Sequence, residues 1–414
     1  MFTKQNIKVK LFDGSKITLK MKGDYFIGES QRRISGKWDI YISDDKIFLE
    51  DEIEIVMSSS DVYLSPVNKE MGGCVFELDQ GDSKYSKHLF KGIILLKREG
   101  EDVVVVNEVD VESFVASILC NRFPNNTQIE YLKVQAVALR NSSIILAINQ
   151  YSERNGSVFE ESDYCKILNL RPQHLIKKYT GVSKVCNQLA HDAVKETEGL
   201  ALVSHDSLSY IPQTLCCGGV TEQVTGLLDR VCDSVQNNNI DLSNNDNIEQ
   251  WVFSGSDSYC KHEDIAAMDD LVAGSGIDLS QAHRWKRNVE VVYFNSLLRN
   301  NFDINVGNFK GVEITERGTS GAVKSISVFG DADEVVLKEG DLDRLIVLLD
   351  LPSRSFVVEE NLEEEEATLE INGAGMGTAE GICNVGAMAM SVQGKSMKDI
   401  LDHYLPGFIL EKQY

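Results

Sequence analysis

VNEVDVESFVASILCNRFPNNTQIEYLKVQAVALRNSS, residues 106–143, is where the hydrophobic period of the chain changes. Phe114, Val115, Ile118 and Leu119 fall at helical spacing until Asn121-Arg122-Phe123-Pro124 ends the pattern, because proline cannot continue a helix. A second helix follows at once. Thr127 and Glu130 carry the signature of a capping box, and Leu132, Ala136, Leu139 and Ser143 line one face of a segment running to about Gln150. The stretch therefore reads as an αα-hairpin.

Upstream the period is two. Ile7, Val9 and Leu11, then Ile17, Leu19 and Met21, alternate with Lys and Thr around Asp13-Gly14, the pattern of a β-hairpin. DIYISDDKIFL, EIEIVM, GIILLK and VVVVNEV are short and rich in β-branched residues, separated by Gly, Ser or Asp. Downstream, LALVSH and SYIPQTL are strand-like and lead into Cys216-Cys217-Gly218-Gly219, whose glycines suit a turn with close backbone approach. Residues 234–248 read as an exposed Asn-rich loop, 263–305 as two amphipathic helices including Trp285, Lys310 to Leu337 as strands and Asn361 to Glu366 as an acidic loop tip. A Gly-rich run, INGAGMGTAEGICNVGAMAM, precedes a closing helix from Ser396 to Tyr404 with a Ser396…Asp399 capping box.

The expected fold class is α+β. It comprises a β-rich N-terminal region (1–100), the first part of a mixed α/β core with the αα-hairpin (101–233), a middle insert of helices and strands (234–340), and a C-terminal Gly-rich segment and helix that complete the core (341–414). A chain of 414 residues exceeds one usual core, and 43% hydrophobic with 25% charged residues is a globular composition.

The net charge of −23 repels polyanions, and no Lys/Arg stripe interleaved with aromatics offsets it, so nucleic acid is excluded as an expected partner. No stretch reaches membrane-spanning length, and the N-terminus as written shows no cationic segment followed by an apolar run. Two placements stay open: cell envelope or extracellular if the sequence is a mature form, cytoplasmic if it is complete. Nine scattered cysteines do not resemble a small disulfide scaffold and read as reduced thiols.

Three segments resemble the stage II sporulation protein D and amidase-enhancer family (SpoIID/LytB), whose members act on peptidoglycan. The most specific is the 106–143 stretch, with the family's Lys-x-Gln-Ala-Val-x-x-Arg at Lys133, Gln135, Ala136, Val137 and Arg140. The second is the strand-to-turn from Ile211 to Glu222, similar to the family's Gly-Gly-x-Thr-Glu turn. The third runs from Gly373-Ala374-Gly375-Met376-Gly377 through Cys383 and Gly386-Ala387 to Pro406-Gly407. WVFSGSDSYC (251–260) and Arg317 to Gly321 resemble a form with a middle insert, so the likeness covers roughly 90 to 414.

The resemblance implies a lytic transglycosylase or a relative of one, in which a glutamic acid protonates the bond after N-acetylmuramic acid and the sugar's own hydroxyl closes an anhydro ring. One carboxyl serves as acid and then base, so no metal or cofactor is expected. The family's acid aligns with Arg122. A guanidinium stays charged near neutrality and exchanges no proton, and losing a general acid costs on the order of 10²–10⁴ in rate. The family's Gly-His-Gly also reads Gly377-Thr378-Ala379 here, and its Gln reads Asn384.

The resemblance assigns a glycan-binding cleft to Lys133, Gln135, Arg140, Cys216, Cys217, Gly218, Gly219, Thr221, Glu222, Gly375, Gly377, Thr378, Cys383 and Asn384. Arg122 stands at the acid's place and is not expected to be catalytic. It either holds a sugar or lactyl carboxylate by bidentate hydrogen bonds, or is a helix-end arginine that complements the dipole. Lys133, Gln135 and Arg140 lie on more than one helical face, so they do not all converge on one ligand. Glu112, read as an exposed helix start, and Glu130, read as a cap, are not expected to replace the acid. Cys216-Cys217 reads as packing rather than a metal site, and Cys165, His174 and Cys186 fit no compact zinc spacing. The Gly-rich 373–386 run lacks the lysine of a phosphate loop. The expected function is glycan-strand binding with little or no lysis, the expected partners being peptidoglycan strands and a wall amidase or other hydrolase. An active transglycosylase, or a protein that retains only the scaffold, are the alternatives.

Overall fold

The computed structural model describes residues 6–30, 32–68, 74–79, 88–123, 126–152, 179, 181–182, 187–205, 207–224, 231, 233, 240–254, 257–261, 268, 271, 278–363 and 366–414. The chain forms two units, residues 1–211 with 409–414, and residues 212–408.

In the first unit, the alternating segments form strands β1 (Asn6–Gly14), β2 (Lys16–Ile27), β3 (Arg33–Ser43), β4 (Lys46–Glu50), β5 (Ile55–Ser58), β6 (Val62–Pro66), β7 (Val75–Asp79), β8 (Ile93–Glu99) and β9 (Asp102–Asp110). The sheet order is β1-β9-β8-β6-β2-β3-β4-β5, with β7 also on β2. Ile7, Val9, Leu11, Ile17 and Leu19 are buried on one face of the pleat, as period-two sequence requires. The hairpin expected at Asp13-Gly14 does not form: β1 pairs with β9, and β2 with β3, β6 and β7. Only Ser15 lies between β1 and β2, whereas the tight reversal of a hairpin uses at least about two loop residues. Strand β9 buries Val103, Val104, Val105 and Val106 together, so its continuous apolar run is a doubly covered strand rather than an alternating one.

The αα-hairpin follows as α1 (Val111–Arg122) and α2 (Ile129–Ser152). Asp110 caps α1, its side chain accepting from the Ser113 N–H at 3.2 Å. Helix α3 (Gln188–Glu196), capped by Asn187, packs on both, and β10 (Leu200–Ser204) pairs with β11 (Ser207–Leu208) and with the C-terminal strand Ile409–Lys412. Asn141 ties α2 to β10, donating to the Leu202 carbonyl at 2.6 Å and accepting from its N–H at 2.8 Å.

The second unit contains β12 (Gln213–Thr214), α4 (Asn245–Ser254), β13 (Arg284–Glu290), α5 (Val291–Phe302), β14 (Phe309–Arg317), β15 (Val323–Gly330), β16 (Glu334–Lys338), α6 (Glu339–Leu348), β17 (Ser355–Asn361), β18 (Thr368–Ala374), β19 (Ile382–Cys383), α7 (Asn384–Val392) and α8 (Met397–Tyr404). Strands β13, β17 and β18 form one antiparallel sheet with β18 central, and β14, β15 and β16 form another. Trp285 lies on strand β13 rather than on an amphipathic helix. Its ring packs 6.4 Å from that of Phe356, and its indole N–H donates to the Gly375 carbonyl at 2.9 Å. A large apolar side chain looks alike in either period when its neighbours are charged, and pairing with β18 decides here. The capping box that opens α8 is present, with Ser396 and Asp399 bonded reciprocally. The whole is α+β, with a β-rich N-terminal region ahead of mixed α/β structure.

Candidate functional site

Arg122 is the last residue of α1 and is 7% exposed. Its guanidinium lies 4.9 Å from the Phe123 ring centroid, and among the described residues its Nη1 has no hydrogen-bond partner. Burial pushes its pKa below the ordinary arginine value, opposed by the charge of Tyr131.

The neighbouring residues of the helical motif divide differently from expectation. Arg140 is completely buried and meets Glu112 in a bidentate pair, Nε to Oε1 at 2.8 Å and Nη2 to Oε2 at 2.7 Å. It also donates to the Leu200 carbonyl at 3.0 Å and to Thr197 Oγ1 at 3.3 Å. Glu112, expected at an exposed helix start, is 8% exposed and accepts further from the Gly199 N–H at 3.1 Å and from the Tyr414 hydroxyl. Burial alone would raise its pKa, but the hydrogen bonds and charge of Arg140, with those from Tyr414 and Gly199, bring it below the ordinary carboxylate value. A carboxylate held this way is no proton donor near neutrality. Lys133 pairs with Glu130 and with Glu196, each at 2.7 Å, and Gln135 is buried on the same helix.

A groove of 510 Å³ opens in this unit between α1, α3 and the strand region, lined among others by Glu112, Ser117, Cys120, His191, Lys195 and Glu198. Arg122, Lys133, Gln135 and Arg140 are not among its lining residues. His191 has its pKa lowered by burial and then by the charge of Lys91, which favours neutral imidazole.

In the second unit the structure brings the Gly-Gly turn and the Gly-rich segment together. Cys216 and Met376 exchange backbone hydrogen bonds of 3.0 and 2.7 Å, and β12 runs parallel to β19. Gly218 has φ +72°, and a Cβ there would stand 2.6 Å from the Gly375 amide nitrogen, so this crossing needs glycine. Thr214 Oγ1 accepts from the Ala379 N–H at 3.1 Å, and Asn384 donates to the Thr214 carbonyl at 2.9 Å. Thr378 is exposed at the tip, and Gly377 meets Thr214 closely. Thr221 is buried and bonded to Val231, whereas Glu222 pairs through its N–H with the Ala379 carbonyl at 2.8 Å.

Glu222 is bridged to Glu380, and its carboxylate accepts from the Ser320 hydroxyl. Burial, followed by the charge of Glu222, raises the Glu380 pKa above the ordinary carboxylate value, with Arg354 acting the other way. Glu380 went unmarked in the sequence because a single Glu in a Gly-rich run carries no spacing signal.

Beneath the turn lies a group of side chains that sequence spacing does not reveal. Cys217, Asp233, Cys260 and Cys383 are all buried, with their ligand atoms within 4.8 Å of one another. The Cys217 and Cys260 sulfurs are 3.8 Å apart, and Cys217 Sγ is 3.6 Å from Asp233 Oδ2. Burial and then the charge of Cys260 push Asp233 up to about 7, against hydrogen bonds from His403 and Tyr404. Burial alone would also raise Cys260, but hydrogen bonds from Cys216, Cys217, Cys383 and His283 hold it well below the ordinary thiol value. Cys165 and His174, weighed in the sequence with Cys186, lie with it outside the described residues.

Residues 99–203 match the family described as stage II sporulation protein (SpoIID). The chain carries a SpoIID domain over these residues. This SpoIID domain takes in β9, the αα-hairpin, Arg122 and the Glu112–Arg140 pair. It gives the chain a sporulation- and cell-wall-related character. Residues 221–381 match a second family, described as a domain of unknown function (DUF8618). The SpoIID match ends ahead of the Gly-Gly turn at Gly218-Gly219. Curated proteins give no match. No helix among the described residues is long and apolar enough to cross a membrane.

Proposed function

We propose that this SpoIID-domain chain binds peptidoglycan glycan strands and has little or no lytic activity of its own. The observation that carries this reading is Arg122: a buried guanidinium, one nitrogen of which has no partner among the described residues, at the position aligned with the family's acid. A buried cationic donor without an acceptor is costly, and an anionic ligand group removes the cost. Muramic acid in a strand stripped of its peptides offers such a group in its lactyl carboxylate. Arginine cannot protonate a leaving oxygen, so the same side chain favours holding over cutting. Delivery of strands to a wall amidase or another hydrolase is the partner role this implies.

Binding isotherms with purified denuded strands, run beside an assay for anhydromuropeptides, test the reading. Saturable binding without anhydro products is expected; anhydro products from the wild-type chain would refute it. Arg122→Glu restores a carboxyl at the acid's place and is expected to gain lytic activity if the remaining site residues are competent.

A second reading, an active transglycosylase, is favoured by one feature, the raised pKa of half-buried Glu380 beside Glu222. A raised carboxyl pKa is the direction of shift a general acid needs.

A further inference from the structure

We propose that Cys217, Asp233, Cys260 and Cys383 form a closed, four-ligand site for a zinc-class divalent cation. Zinc–sulfur bonds of about 2.3 Å at tetrahedral angles place sulfurs about 3.8 Å apart, and a zinc-bound oxygen about 3.5 Å from each sulfur. The observed Cys217–Cys260 separation is 3.8 Å and the Cys217–Asp233 separation 3.6 Å. The four groups come from four separate places in one unit: the turn after β12, the segment after Thr221, the loop after α4 and the start of α7.

The surroundings are those of a ligand set rather than of apolar packing. Asp233 is 0% exposed, and its Oδ1 is occupied by the Tyr404 hydroxyl at 2.6 Å and His403 Nε2 at 3.2 Å, which leaves Oδ2 facing the thiols. Cys383 Sγ accepts from the Cys217 N–H at 3.3 Å and the Gly386 N–H at 3.4 Å, and Cys260 N–H donates to Asp233 Oδ2 at 3.1 Å. Hydrogen bonds of this kind orient metal ligands and stabilise thiolates. Gly386 lets these groups close up, since a Cβ there would stand 1.9 Å from the Tyr404 hydroxyl. Half-buried Arg284 adds a positive charge that interacts with Cys260, Cys216 and Cys217, and its Nη1 donates to the Gly218 carbonyl at 2.8 Å. Three thiols and a fully buried carboxylate are a costly way to fill a core that has no charge to hold.

On binding, the hydrated cation gives up its waters and three thiols release their protons to solvent, while Asp233 binds as carboxylate. Four protein ligands leave no open position for a substrate, so the site is structural. It fixes the Gly218-Gly219 turn against the start of α7. A disulfide between Cys217 and Cys260 is the competing use of the same thiols; it requires their sulfurs to close to about 2.05 Å.

The test uses the full chain, purified under reducing conditions without chelator. Elemental analysis is expected to give about one zinc per chain, released when the thiols are blocked. Refolding with cobalt(II) should produce thiolate-to-cobalt charge-transfer absorption in the wild-type protein. Cys260→Ser and Cys383→Ser should each lose most of the metal, whereas Cys74→Ser should keep it. A folded wild-type chain that takes up neither metal, or that shows a Cys217–Cys260 disulfide by mass mapping, overturns the proposal. So does full metal content in a Cys260→Ser/Cys383→Ser double variant. The cobalt measurement needs no variant, so a substitution that fails to fold does not spoil the test. None of these outcomes depends on glycan binding.

Discussion

Arg122→Met should move binding and stability independently, in a way a merely structural arginine would not. The substitution keeps a flexible apolar stem and removes the guanidinium. In the free protein, a buried donor left without a partner costs about 1–3 kcal/mol. Removal relieves that cost but forfeits the guanidinium contact over Phe123, 4.9 Å from the ring centroid, worth about 0.5–1 kcal/mol. It also forfeits a favourable charge at the C-terminus of α1, worth about 0.3–1 kcal/mol. These terms nearly cancel, and the melting temperature should stay within roughly 4 °C of wild type for a unit of this size. Binding behaves otherwise. Charge-assisted hydrogen bonds to a lactyl carboxylate contribute about 1.5–3 kcal/mol, so the Kd for denuded strands should weaken about 10- to 150-fold. Thermal melting and titration calorimetry on the same preparations measure both. A variant that melts ten or more degrees lower, roughly the loss of a core contact, while binding strands as tightly as wild type would refute the reasoning: Arg122 would then be a structural side chain.

Arg140→Met leaves the Glu112 carboxylate with Gly199 and Tyr414 as its remaining donors among the described residues, and should cost about 3–5 kcal/mol in urea unfolding, with partial recovery in Glu112→Gln/Arg140→Met. The Glu112 pKa lies below its ordinary value of 4.5, so its share of stability is complete above the unfolded value and is lost as pH falls through the folded one; this acid-side loss should vanish in the double variant. Gly218→Ala, with φ +72° and a Cβ 2.6 Å from the Gly375 nitrogen, should lower stability by about 1–3 kcal/mol on denaturation. Glu380→Gln should leave strand binding within about twofold, and a loss of any residual anhydro product of about 10²-fold or more would favour the transglycosylase reading.

Much of the first unit was legible in the sequence because its signals are local. Period-two alternation marks β1 and β2, and the switch to helical spacing after Asn107 marks the hairpin of α1 and α2; in the second unit Ser396 with Asp399 marks the start of α8 in the same local way. Strand partners were not legible. The partner of β1 is β9, roughly a hundred residues on, and only the packed sheet selects it over the adjacent β2. Glu112 shows the same division: its place in the first turn suits an exposed carboxylate, but Arg140, Gly199 and Tyr414 bind it once α2, β10 and the C-terminal strand pack.

The candidate site divides on the same line. The sequence by itself determined that Arg122 cannot serve as an acid, since that follows from the chemistry of one side chain. Only the tertiary structure decided that this arginine is buried with a nitrogen unpartnered among the described residues, and that Arg140 is committed to Glu112. It alone gathered Cys217, Asp233, Cys260 and Cys383. Their spacings in sequence match no compact ligand pattern, because a site assembled by chain crossings leaves no period to read; its geometry exists only after the turn, the loops and α7 have packed together.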